Sequence, residues 1–143
     1  IEVRSFEKNS IIIKEGDKGD SILFLINGDI NISQALTLMT NKSNESDNRE
    51  KELIRLSSNE NIISLGEISL FSIETKRSAT VKAISNCQIG ILEFNDLFKI
   101  CNNNHTIGFK VMQNISKIIT KHLLESNYKV LKLTTAFSLL IDN

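Results

Sequence analysis

Between Ile11 and Phe94 the apolar residues come only in short runs, divided by glycine, asparagine and aspartate, and from Asn95 onward their spacing turns helical. Runs of four to seven residues are too short for buried helices and suit strands. They are Ile11–Lys14, Ser21–Ile26, Ile30–Ser33, Glu52–Ser57, Asn61–Ser64, Ala79–Ser85 and Gln88–Phe94, each rich in Ile, Leu, Val or Phe. Many short strands with turn chemistry between them predict an all-β barrel or roll, here followed by helix. Glu15-Gly16-Asp17 and Asn27-Gly28-Asp29 place glycine where positive φ is expected. Asn27-Gly28 between two apolar runs predicts a tight hairpin with Ile26 and Ile30 flanking the reversal. Residues Gln34 to Lys51 are polar and aperiodic, and read as an extended hairpin loop with little ligand chemistry.

In the helical part, Asn95-Asp96 caps a short helix that ends at Asn102-Asn103-Asn104, and Thr106 is the expected cap of a long one. Ile107, Val111, Ile115, Ile118 and His122, with Met112, Ile119 and Leu123 beside them, step by three and four. The stripe is wider than one small β domain needs, which predicts burial against a second helix. The expected division is therefore a β domain over 1–104 and a helical segment over 105–143.

Composition narrows the function. A chain of 143 residues with 41% apolar content has room for one domain with a core. Lys+Arg and Asp+Glu balance at 17 each, so the chain lacks the electrostatic footprint of a nucleic-acid binder or an acidic-membrane binder. No apolar run approaches the roughly 18 residues that cross a bilayer. Ile1-Glu2-Val3-Arg4 resembles neither an initiator methionine start nor a secretory signal, and a chain cut from something longer, or trimmed, is expected. Cys87 and Cys101 form no CxxC pair and have no histidine at metal spacing, so structural burial and a reducing, cytoplasmic setting are expected. His105 and His122 stand apart from any Ser or Cys with an orienting partner, and no paired carboxylates or Walker-type loop occur, so an enzyme is not expected.

The chemistry concentrates in Leu65-Gly66-Glu67-Ile68-Ser69-Leu70-Phe71 and Lys76-Arg77-Ser78-Ala79-Thr80-Val81. Gly66 allows close approach of backbone to a ligand, Glu67 can accept from a ribose hydroxyl, and the amides of Ile68, Ser69 and Leu70 would open a helical turn with free donors. Arg77 is the only arginine after Arg55 and offers a planar fork to two phosphate oxygens, a contact worth about 1.5–3 kcal/mol. Its replacement by alanine is expected to cost affinity and little stability. Ser69 and Ser78 are placed to reach a phosphate oxygen or a base edge.

Together with Gly16, Asp20-Ser21, Phe24 and Gly28, these two segments resemble the cyclic nucleotide-binding domain family, in its catabolite activator-like branch, over roughly Ile11 to Leu124. Lys76 stands where the kinase regulatory branch has proline. The resemblance implies an eight-stranded β-roll (a double-stranded β-helix, or jelly roll) followed by a long C-helix, with a phosphate-binding cassette at about 65–80. It places Glu67 on the ribose 2′-hydroxyl and Arg77 on the cyclic phosphate, with Gly66, Ile68, Ser69, Ser78 and Ala79 around them. By counting along the C-helix, His122 and Leu123 fall near the base. Two departures stand out: Asn59-Glu60-Asn61-Ile62-Ile63 replaces the Gly-Asp pair that many members carry before the cassette, and the Gln34–Lys51 insertion is long.

The expected ligand is cAMP, with cGMP open because the Ser78 hydroxyl can meet either a phosphate oxygen or a guanine amino group. The expected function is a regulatory module that signals through the C-terminal helix to a partner or attached effector, as a homodimer paired through that helix. Two alternatives remain: a scaffold or dimerisation domain that has lost its ligand, and the sensor part of a transcription factor without its DNA-binding domain. About 20 residues follow Leu123, too few for a helix-turn-helix, so this chain alone is not expected to bind DNA.

Overall fold

The computed structural model describes residues 1–35, 50–59 and 63–141. Packing divides the chain into two units, Ile1–Leu97 and Phe98–Asn143. Among the described residues the first unit holds eight strands: β1 (Glu2–Phe6), β2 (Ile11–Ile13), β3 (Ser21–Asn27), β4 (Asp29–Ala35), β5 (Glu50–Ser57), β6 (Ile63–Leu65), β7 (Thr80–Ala83) and β8 (Cys87–Glu93). They form two four-stranded antiparallel sheets, ordered β1-β8-β3-β6 and β2-β7-β4-β5. Between β6 and β7 lies a four-residue helix, α1 (Ile68–Phe71); α2 (Phe94–Asn103) and α3 (His105–Ile141) follow β8. The β-roll with a long C-terminal helix expected above is the architecture observed.

Each sheet turns one set of alternating side chains inward, which is why runs this short can hold a core. Leu23 and Leu25 of β3, Cys87 and Ile89 of β8 and Leu65 of β6 meet Ile13, Ile30, Val81 and Ala83 of the other sheet. The Cys87 thiol belongs to this core, and its Sγ lies 3.3 Å from the Asp29 carbonyl. Cys101 is half-buried and also a free thiol.

Two expectations about turns need correction. Asn27-Gly28 does not close a hairpin, because β3 pairs with β6 and β8 while β4 pairs with β5 and β7. Gly28 is instead a corner between the sheets. Its φ of +105° redirects the chain, and a Cβ there would stand 2.6 Å from the Asn86 carbonyl. The corner is tied down from outside, since Gly28 N–H donates to Ser58 Oγ at 3.0 Å and Asp29 N–H to Ser85 Oγ at 2.8 Å. The hairpin that does form joins β4 to β5, with Gln34 opposite Lys51 and Ala35 opposite Glu50. The ends of the expected loop are thus strand, and 36–49 lie outside the described residues, as do 60–62 of the segment before the cassette.

In the second unit α3 runs for 37 residues, about 55 Å at 1.5 Å per residue. Its cap is Asn104 rather than Thr106: the Asn104 side-chain oxygen accepts from the Ile107 N–H at 3.1 Å, three residues on, as a capping side chain must. Gly108 lets the end of α2 lie close, since a Cβ there would meet the Cys101 carbonyl at 2.8 Å. No helix among the described residues is long and apolar enough to cross a membrane.

Candidate functional site

The site is built where α1 and the segment before β7 fold onto the turn between β2 and β3. Gly66 has φ +86°, a conformation that costs an L-residue energy, and it swings the chain out of β6 into α1. The chain then returns through Thr75, also at positive φ (+47°), to lie antiparallel to residues 16–19. Three backbone hydrogen bonds bind the cassette there and a fourth bond closes it internally. Gly19 N–H donates to the Thr75 carbonyl at 2.7 Å, Arg77 N–H to Asp17 at 2.8 Å and Gly16 N–H to the Arg77 carbonyl at 2.9 Å, while Ser69 Oγ donates to the Lys76 carbonyl at 3.1 Å.

This stitching carries Gly66, Glu67, Ser69 and Arg77 inward as a group. Glu67 is only 4% exposed, Ser69 2% and Arg77 8%. The Arg77 side chain threads between two glycines. A Cβ on Gly66 would collide with Nη1, and a Cβ on Gly19 would stand 2.5 Å from Ser69 Oγ and 3.1 Å from Arg77 Cδ. The guanidinium ends on β3, where Nη1 donates to the Ser21 carbonyl at 2.9 Å and Nη2 to Ser21 Oγ at 3.0 Å. Burial pushes its pKa below the ordinary value, and the carboxylates of Asp20 and Glu67 oppose that shift. The group stays cationic, because arginine starts far above neutrality.

Other expected positions fall differently. Ile68 and Ser78 are exposed and Ala79 is half-buried. The amides of Ser69 and Leu70, expected to be open donors, are already used inside the turn, donating to the carbonyls of Gly66 at 3.2 Å and Glu67 at 3.1 Å. A turn this tight closes its own i to i+3 bonds, which removes the donors a longer helix would leave open. His122 and Leu123 are exposed on α3, in the second unit. A cleft of about 550 Å³ opens beside the cassette, lined by Arg77, Ser21, Asp20, Asp17, Lys14 and Lys18 together with residues of β1 and β8. Glu67 does not line it. Ser21 entered the sequence reading only as part of the family resemblance, without a place in the site, since its partner lies 56 positions away and only the fold joins them.

The sequence matches the cyclic nucleotide-binding domain family over residues 3–104. The chain belongs to that family. Among solved structures, this cyclic nucleotide-binding domain is similar to Thermus thermophilus catabolite activator protein, at 19% identity and a TM-score of 0.74 over 93% of this chain and 55% of that one. A c-di-GMP-responsive global regulator of Xanthomonas campestris, CLP, gives 18% identity and 0.74 over 93% of this chain and 59% of that one. The cAMP-bound PfPKA-R gives 26% identity and 0.54 over 68% and 30%. A search of curated proteins found no match. The domain thus spans little more than half the length of the first two structures it resembles.

Proposed function

We propose that this domain binds a cyclic mononucleotide, cAMP in preference to cGMP, and reports occupancy through its C-terminal helix to a partner or an attached effector. The observation that carries the reading is the burial of Glu67 and Arg77 in one cassette, with Gly66 against the guanidinium. Burying an arginine and a glutamate is costly for a scaffold and useful to a site that must present charge to a phosphate and a hydroxyl. Glu67 takes the ribose hydroxyl and Arg77 the cyclic phosphate, with Ser78 beside it. Further support is family membership and the fold shared with the cAMP-bound PfPKA-R. In this reading the nucleotide unit is 1–104, the reporting segment is 105–143, the chain carries no catalytic group, and it works in the cytoplasm without nucleic acid or membrane.

The helix is the proposed dimer contact. Ile119, Leu123, Ser126, Val130, Leu133, Phe137 and Leu140 recur at alternating four- and three-residue steps, the spacing of a coiled-coil seam, and all seven are exposed. Burying such a seam against a second copy would remove apolar surface worth about 25 cal/mol per Å². A second reading, a scaffold without ligand, draws on one observation, that the guanidinium already has partners on Ser21.

Melting curves with cAMP, cGMP and c-di-GMP separate these readings. A shift of several degrees with cAMP, smaller with cGMP, is expected; no shift with any of them at millimolar concentration would reject the sensor. Light scattering with and without nucleotide tests the dimer.

A further inference from the structure

We propose that Ser21 is a positioning residue for Arg77, its hydroxyl fixing the plane of the guanidinium so that the remaining N–H groups face the cyclic phosphate. This rests on the nucleotide-binding reading given above. The geometry is a two-point anchor: Nη1 bonds the Ser21 carbonyl at 2.9 Å and Nη2 the Ser21 hydroxyl at 3.0 Å. One bond alone would let the fork pivot about it. Two bonds from a single residue define the plane. Any residue would supply the carbonyl, so the hydroxyl is what the sequence contributes.

The donor count leaves room for a ligand. A guanidinium carries five N–H groups, Ser21 takes two, and three remain for the two exocyclic oxygens of a cyclic phosphate. The hydroxyl can accept from Nη2 while its own proton faces Asp20 Oδ1, 3.4 Å away. The platform beneath is fixed, because Ser21 is registered opposite Glu93 on β8 and the Asp20 carbonyl accepts from Phe94 N–H at 2.8 Å. An arginine held this way before the ligand arrives loses less freedom on binding, and that difference appears as affinity.

The experiment measures cAMP affinity by calorimetry for the wild-type chain, Ser21→Ala, Ser21→Cys and Ser21→Thr, each also in an Arg77→Lys background. Removing the hydroxyl is expected to weaken cAMP three- to tenfold in both Ala and Cys variants, and Thr is expected to recover affinity to within twofold of wild type. In the Arg77→Lys background, which has no fork to orient, the effect of Ser21→Ala should fall below twofold. The two phosphorothioate diastereomers of cAMP give a readout that general loosening does not move, since each replaces a different exocyclic oxygen. Their affinity ratio should shrink at least twofold in Ser21→Ala. If Ser21→Ala is poorly folded, Ser21→Cys, close to serine in volume, decides the matter. Wild-type affinity and an unchanged diastereomer ratio in a folded hydroxyl-free variant would overturn the proposal and leave the nucleotide reading standing. A wild-type chain that binds no cyclic nucleotide would overturn both.

Discussion

Gly66→Ala tests the packing of the cassette, and Gly16→Ala provides its control. The two glycines have nearly the same backbone, φ +86° and +85°, so each substitution carries the same left-handed penalty of about 1–2 kcal/mol. Their surroundings differ. A Cβ on Gly16 meets nothing within 4 Å, whereas on Gly66 it collides with Nη1 of Arg77 and stands 3.1 Å from the Ser21 carbonyl. Moving the guanidinium aside breaks at least one hydrogen bond from a charged donor, worth about 1.5–3 kcal/mol. Gly66→Ala should therefore lose about 2.5–5 kcal/mol and Gly16→Ala about 1–2. Urea unfolding of the three proteins reads the difference. Equal losses for the two variants would mean that the guanidinium does not lie against Gly66, and the description of the cassette would be wrong.

Against the expectation from sequence, Arg77→Ala should lower stability as well as affinity, by about 1.5–3 kcal/mol, because it removes the hydrogen bonds that the buried guanidinium makes to Ser21; urea unfolding without nucleotide measures this. Thr75→Asn should raise the melting temperature by a few degrees, since a β-branched residue at φ +47° is strained, the side chain is exposed, and asparagine tolerates that region. Asn104→Ala should cost about 1 kcal/mol through loss of the cap on α3, visible as a lower urea midpoint.

Much of the fold was legible because burial in a two-sheet roll imposes short apolar runs, and seven of the eight strands fall on such runs. The missed strand, β1, reads Glu-Val-Arg-Ser-Phe and is nearly all exposed. Among the described residues it lies at the edge of its sheet, paired with β8 alone, so its sequence carries little of the apolar signal that burial writes. Asn27-Gly28 misled for a related reason: a glycine at positive φ marks a sharp change of direction and does not say whether the next strand returns to the same sheet. Within the site, Gly66, Glu67 and Arg77 stood out because charge and conformational freedom are residue properties. Ser21 was legible as part of the family motif but not as a partner of Arg77, because serine opens many strands and only the fold brings the two together. The amides of Ser69 and Leu70 were misjudged since backbone donors leave no mark in sequence, and the tightness of the turn decided their partners.

Nucleotide sensing by this domain requires that the Arg77 fork grip a cyclic phosphate. Calorimetric titration of cAMP into the wild-type chain and Arg77→Lys, well below both melting temperatures, tests this most directly. Lysine keeps the charge and loses the planar two-point contact. The predicted result is saturable binding by the wild type and a loss of roughly 10- to 150-fold in the variant, the equivalent of about 1.5–3 kcal/mol. Equal affinities, or no heat from the wild type at millimolar cAMP, would contradict it.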